Sequence, residues 1–255
     1  MKKLIILLLV VWALPAAGAW GPTGHRVVGH LAEQYLTKKA SRNLASIMGG
    51  ESLARASTWM DEMKSDSDYR YMNPWHYVNL PADADYTTIE KPENGEVVGK
   101  INQFIAELKA GGLSKEEQIF RIRCLVHLVG DLHQPFHTGR YEDLGGNRIK
   151  IKWFGEDTNL HRLWDSDLID FQQLSYTELA EFINHPTEAQ VAQWQSTSPE
   201  VWVMESHELA NQLYESVEEG EDYSYRYNFD YYHIAERRML MAGIRLAAIF
   251  NDIYG

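Results

Sequence analysis

HLVGDLHQPFH, residues 127–137, closes the apolar run IFRIRCLVHLVGDL (119–132), and its reading decides the fold. The spacing of the run predicts a helix over about 114–133. Ser114 stands where an N-cap belongs, with Glu116 and Glu117 in the first turn. His127 and Asp131 lie four apart and project from one face of that helix, so one metal ion can be held by both. Pro135 is incompatible with a helix interior, which places His137 on the loop just beyond the helix end.

A second pair of the same spacing, His161 and Asp165, follows in NLHRLWD (159–165). A lone His-x-x-x-Asp pair reads more readily as a surface ion pair or a hydrogen-bonded core histidine. Two such pairs together with His137, within 39 residues, weigh against that reading. Upstream, WMDEMK (59–64) adds Asp61 and NPWHYVN (73–79) adds His76. Imidazole and carboxylate donors without a thiolate suit zinc, and ligand type alone leaves manganese and iron open.

Outward from this centre the patterning is helical almost throughout. Val27, Val28, Leu31, Tyr35 and Leu36 form one apolar stripe, Leu53–Met63 suggests another helix, and Gly49-Gly50 separates them. Residues 66–95, rich in Asp, Asn, Pro and Tyr, read as a long irregular connection, of a kind that tends to be functional. Helices are expected at about 98–110, 159–168, 176–184, 199–218 and 229–253. NRIKIKWF (147–154) gives the one convincing strand signal, Ile149, Ile151 and Trp153 alternating with basic residues after Gly145-Gly146. No internal repeat or low-complexity linker interrupts the chain. The expected fold is mainly α, a single helical domain over residues 20–255 carrying a small β-hairpin.

Residues 1–19 read as a signal peptide. Lys2 and Lys3 precede the apolar run Leu4–Leu14, and Ala17-Gly18-Ala19 supplies a small-x-small cleavage pattern before Trp20. The competing reading, an uncleaved anchor, meets a run shorter than the roughly 20 residues that span a bilayer. The expectation is therefore an exported protein, periplasmic or secreted, and not an integral membrane protein. Cys124 is the one cysteine, so no intramolecular disulfide is available, and its place in the apolar run marks it as core. There is no Asn-x-Ser/Thr sequon. The formal charge of -12 becomes -14 once the two leader lysines are removed, which excludes an ordinary basic nucleic-acid-binding face. An anionic substrate would need positive charge from another source, such as bound divalent cations.

Taken in order, WGPTGHRVVGHLAE, WMDEMK, PWHYVN, HLVGDLHQPFH, GGN, NLHRLWD and AGIRLAAIFNDI span essentially all of the chain beyond the leader. In this set the sequence resembles the zinc-dependent single-strand nucleases of fungi and plants, the S1/P1 type. The resemblance implies a mainly helical fold with three zinc ions in a cleft. One would be held by Asp61, His76, His127 and Asp131. A second would take His25, the shared Asp131, and the free amino group and carbonyl oxygen of Trp20. The third would take His137, His161 and Asp165. An α-amine binds metal only when uncapped and deprotonated, so leader removal would create that second site.

The same resemblance implies hydrolysis of single-stranded DNA and RNA to 5'-phosphorylated nucleotides, with removal of 3'-phosphates from 3'-mononucleotides. Asp61 would ligate zinc and orient the attacking water, and Lys64, one turn on, would stabilise charge on the phosphoryl group. Its alternative is a solvated helix lysine. Tyr77 matches an aromatic residue that stacks on a base. Asn79 stands where fungal members carry an Asp that contacts the base edge, so this chain both donates and accepts there and no base preference carries over.

Two rivals remain. Zinc-dependent phospholipase C also uses an N-terminal Trp and three zincs, but has a longer gap between that Trp and the first His and a Glu where this chain has Asp165. A non-catalytic exported zinc-binding protein would need neither Lys64 nor Tyr77. His30 lies about 140° from His25 on a helical wheel, and His133 lies two residues past Asp131, so neither shares its neighbour's ligand face. His185, His207 and His233 read as surface or core polar groups. Gly145 and Gly146 suit a turn, and Asn147 and Asn159 suit orienting roles behind the ligands. No stable protein partner is implied.

Overall fold

The computed structural model describes residues 20–255, so the reading of residues 1–19 as a leader lies outside the described residues. Its centre is the helix α6 (Lys115–His133), and it forms for the reasons its sequence offers. The Ser114 side chain accepts from the Glu117 N–H while Glu117 reaches back to the Ser114 N–H, a reciprocal cap, and from Cys124 to His133 every residue is buried. Around it pack α1 (Pro22–Gln34), α5 (Val97–Ala110), α11 (Pro199–Tyr214) and the 30-residue α12 (Tyr225–Tyr254). Cys124 is fully buried, as expected of a small core residue.

Several elements differ from the sequence expectation. The segment Leu53–Met63 is two short helices, α3 (Leu53–Ala56) and α4 (Trp59–Met63), with the buried Ser57 hydroxyl donating to the Ala54 carbonyl at the break. The connection begins not as irregular chain but as a 3-10 turn over Ser67–His76, capped by Asp66. Its Asp, Asn, Pro and Tyr content hid it, because 3-10 geometry lacks the 3.6-residue periodicity that a sequence reading detects. Two helices are additional: α2 (Lys38–Met48), capped by Thr37 and stopped by Gly49 at φ 65°, and α10 (Glu188–Gln195), capped by Thr187. Residues 160–170 wind as α7 (Leu160–Arg162), a π-helical stretch Leu163–Asp167 and α8 (Leu168–Asp170), and α9 (Tyr176–Ile183) follows.

The strand signal is real and part of a larger sheet than a hairpin. β1 (Lys150–Trp153) pairs antiparallel with β2 (Glu156–Asn159), register Lys150 to Asn159, through a two-residue turn in which Phe154 and Gly155 both take positive φ. The two-residue β3 (Asp222–Tyr223) lies parallel on the other side of β1. A two-residue strand carries no alternation, so the sequence could not announce it.

Behind α6 a buried polar network closes the core. Arg245 makes a bidentate pair with Glu205 and donates from Nη1 to His133 Nε2, while His133 Nδ1 donates to the Val129 carbonyl. Arg238 donates to the His133 carbonyl and to Glu205. Burial together with the two guanidinium groups holds His133 well below the usual imidazole range. His133 is thus a neutral core histidine facing away from the ligand face of α6.

Candidate metal centre

The nine residues singled out for metal come from five separate stretches of chain, and the eight histidines and aspartates among them converge around α6 and the turn after it. Pro135–Thr138 is a single 3-10 turn, so His137 is held in a defined turn rather than on an open loop. Three groups of donors form, each with its ligand atoms within 4.8 Å of one another: His25, His127 and Asp131; Asp61, His76 and His127; and His137, His161 and Asp165. His127 Nε2 lies 3.0 Å from His76 Nδ1, 3.2 Å from Asp131 Oδ2 and 3.6 Å from Asp61 Oδ1. His76 Nδ1 lies 2.9 Å from Asp131 Oδ2. In the third group Asp165 lies 3.1 Å from His161 Nε2 and 3.5 Å from His137 Nε2. Zinc bonds of about 2.0–2.1 Å to nitrogen or oxygen in tetrahedral array separate the donors by roughly 3.3 Å. The observed spacings fit that size of ion.

The protonation pattern fits as well. The Nδ1 atoms of His127, His137 and His161 face the carbonyl oxygens of Ser57 (2.7 Å), His76 (2.7 Å) and Gly145 (2.6 Å). A carbonyl only accepts, so each ring carries a proton on Nδ1 and directs Nε2 at the cluster, where a metal ion would take the place of any second proton, an arrangement that orients metal-binding histidines. Both nitrogens of His25, Nε2 of His137 and Oδ1 of Asp131 are buried without a hydrogen-bond partner. His25 Nε2 comes within 3.3 Å of Asp131 Oδ1, but not with hydrogen-bond geometry. Each orphaned buried polar atom costs about 1–3 kcal/mol, and a cation in each group would engage one nitrogen of His25, Nε2 of His137 and Oδ1 of Asp131.

The electrostatics are those of a crowded site. Burial disfavours the Asp61 carboxylate, but His127, Lys64, His25 and His76 outweigh it and hold its carboxyl well below the usual range. Burial lowers His76 to about 4, whereas the carboxylates of Asp131 and Asp165 overcome the burial of His137 and raise it to about 9.

Two glycines allow the clusters to assemble. A Cβ on Gly130 of α6 would stand 2.9 Å from His25 Nδ1 and 3.8 Å from Trp20 Cδ1, so only glycine lets α1 and the chain before it press their ligand side against α6. Trp20 is fully buried there, and the Gly21 N–H donates to the Asp165 carbonyl. Gly145 has φ +62° and passes so close to the Phe136 carbonyl that a Cβ would stand 2.3 Å from it. That close passage brings the Gly145 carbonyl to His161.

Lys64 ends α4 with Nζ 2.5 Å from Asp61 Oδ1. Tyr77 is 44% exposed. It and the half-buried Asn79 line a cleft of about 680 Å3 together with Pro74, Pro81, Lys91 and Tyr141. The Val78 N–H donates to the His137 carbonyl and the Leu80 N–H to that of Gly139, so this segment runs alongside the His137 turn.

Sequence reasoning missed Gly130, Gln134, whose amide donates to Asp165 Oδ1, and Ser57, whose carbonyl orients His127. Gln134 and Gly130 both sit inside the quoted motif, the signal that would have found them. Asn147 and Asn159 bond only locally, to the Leu144 carbonyl and the Arg162 N–H, and do not touch the cluster. His30 stands edge-on to Tyr176, outside all three groups.

The chain is mainly helical and gathers histidines and aspartates into three adjoining groups, two of them sharing His127, each of which could hold a metal ion. The chain belongs to the S1/P1 nuclease family, whose profile matches residues 20–255. It is similar to Endonuclease 2 of Arabidopsis thaliana, 28% identical over 283 aligned residues that cover 98% of this chain and 97% of that protein. It is also similar to Nuclease P1 of Penicillium citrinum, 30% identical over 156 residues (58% of this chain, 57% of the other). Nuclease S1 of Aspergillus oryzae is 28% identical over 158 residues, 58% of this chain and 54% of the other. Among the described residues no helix is long and apolar enough to cross a membrane.

Proposed function

We propose that this chain is an exported zinc-dependent nuclease that hydrolyses single-stranded DNA and RNA to 5'-phosphorylated nucleotides and removes the 3'-phosphate of 3'-mononucleotides. The observation that carries the proposal is the set of three adjoining His/Asp groups with inward-facing, unpartnered donor atoms, in a chain of the S1/P1 nuclease family. Three zinc ions are assigned to Asp61, His76, His127 and Asp131; to Trp20, His25 and Asp131; and to His137, His161 and Asp165. Such ions supply six positive charges, which offset the acidic chain, acidify an attacking water and stabilise a departing oxygen.

The chain's own groups then divide the work. Asp61 accepts a hydrogen bond from the attacking water and aims it in line at phosphorus. Lys64 Nζ, already beside that carboxylate, meets the charge that builds on the phosphoryl oxygens. Tyr77 offers an exposed ring to a splayed base, and Asn79 lies within reach of the base edge in the same cleft. A duplex resists because its bases must first be unstacked.

The test is hydrolysis of single-stranded DNA by protein beginning at Trp20 and loaded with zinc, with and without a chelator. Chelator-sensitive release of 5'-phosphorylated products is expected. Cleavage of phosphatidylcholine without cleavage of DNA would replace this reading with a phospholipase C, and inactivity on both would leave a non-catalytic zinc-binding protein.

A further inference from the structure

We propose that His207, a buried histidine of α11 that touches no cluster atom, is a positioning residue that fixes the third metal group by holding the backbone of the turn that carries His137. The inference rests on the metal reading above. α11 contributes none of the ligands, yet one face of it is spent on the backbone of the ligand-bearing segment. The Ser206 hydroxyl donates to the Leu132 carbonyl. His207 Nδ1 donates to the Thr138 carbonyl at 2.7 Å, and the Tyr214 hydroxyl accepts from the Arg140 N–H at 3.0 Å and donates to Asp143. Between them, Asn211 donates to the Ala82 carbonyl and accepts from Arg140.

His207 stands at the junction of two segments that the site requires. Its other nitrogen, Nε2, meets Asn211 Nδ2 at 3.2 Å and lies 3.2 Å from the Ala82 carbonyl. A neutral imidazole has one donor and one acceptor. With the proton on Nδ1 facing Thr138, Nε2 accepts from the Asn211 amide, which itself holds Ala82. One side chain therefore links the turn of His137 to the segment 76–82 that bears His76, Tyr77 and Asn79, and the two segments are already laddered by the Val78 and Leu80 N–H groups. His207 is 2% exposed and its bond to Thr138 is made in the interior, where a hydrogen bond is stronger than in water, while the bonds through Asn211 lie nearer the surface. A purely packing role would need none of them.

The position of His137 matters because metal donors tolerate little displacement, about 0.2 Å in bond length. Loss of a group behind a ligand typically weakens metal binding by about 10–100-fold. Loss of the Thr138 bond should thus weaken the group of His137, His161 and Asp165 while leaving the other two groups intact.

The test compares H207Q with H207N in protein beginning at Trp20. An asparagine amide reaches where Nδ1 stands and can still donate to Thr138, whereas a glutamine amide reaches where Nε2 stands and leaves Thr138 unheld. Zinc per chain after competition with a graded chelator, and the melting temperature of the metal-free protein, are measured for each. We expect H207Q to lose one of three zinc ions at a chelator concentration about 10–100-fold below that needed for the wild type, and H207N to stand near the wild type. H207Q retaining all three ions at wild-type affinity overturns the proposal. So does equal loss of all three ions and of thermal stability in both variants, which is the signature of a structural role alone. Wild-type protein that binds no zinc would overturn the metal reading itself, and this inference with it.

Discussion

Gly130→Ala separates stability from metal binding in a way the structure makes calculable. The added methyl would stand 2.9 Å from His25 Nδ1 and 3.2 Å from Cε1, where ordinary contact begins at 3.4 Å, so the ring must retreat by roughly 0.5 Å. Its freedom to retreat is limited, because it stacks on His127 with ring centroids 3.9 Å apart and planes 13° apart. Overpacking of this kind costs about 1–3 kcal/mol, and replacing a mid-helix glycine by alanine returns about 1 kcal/mol. The net loss is about 0–2 kcal/mol, which lowers the melting temperature of the metal-free protein by no more than about 8 °C. A 0.5 Å shift nevertheless exceeds the roughly 0.2 Å tolerance of a metal bond. The variant is therefore expected to fold, to bind one zinc fewer than the wild type, and to lose most of its nuclease activity. Elemental analysis of zinc per chain, thermal unfolding of the chelated protein and hydrolysis of single-stranded DNA read the three quantities. Full zinc content with wild-type turnover would refute the claim that the close approach of α1 to Gly130 builds the site.

Three further predictions use the same assays. Asp61→Asn is expected to keep the helical circular dichroism spectrum and abolish phosphodiester cleavage, and unchanged turnover in a zinc-loaded variant would contradict the role given to that carboxylate. Extending the N-terminus by one alanine before Trp20 caps the amine proposed as a ligand, so zinc content and activity should both fall; full activity with the extension verified by mass would sink that ligand assignment. Tyr77→Ala removes a stacking face worth about 1–3 kcal/mol, so KM for single-stranded substrate should rise by about 5- to 150-fold with little effect on zinc content, and an unaltered KM would remove Tyr77 from the substrate site.

The sequence by itself determined the centre of the fold and the identity of the ligand types. Helix α6 announces itself because capping, apolar spacing and the Pro135 stop are all local, and the same locality puts His127 and Asp131 on one face. His161 and Asp165 follow the same rule even though a π-helical stretch winds between them, since they still meet at 3.1 Å. Short or aperiodic elements escaped for the complementary reason: the 3-10 turn before His76 and the strand β3 carry too few residues, or the wrong period, to leave a pattern. Which donors from distant segments share one ion is a different matter. That His25 meets Asp131 depends on the absence of a side chain at Gly130. That His137 faces Asp165 depends on backbone held by His207, 69 residues away in sequence from the carbonyl it secures. Spacing along the chain encodes faces of a helix, whereas contact between helices is decided by which atoms fit in the space left between them, and only the tertiary structure contains that information.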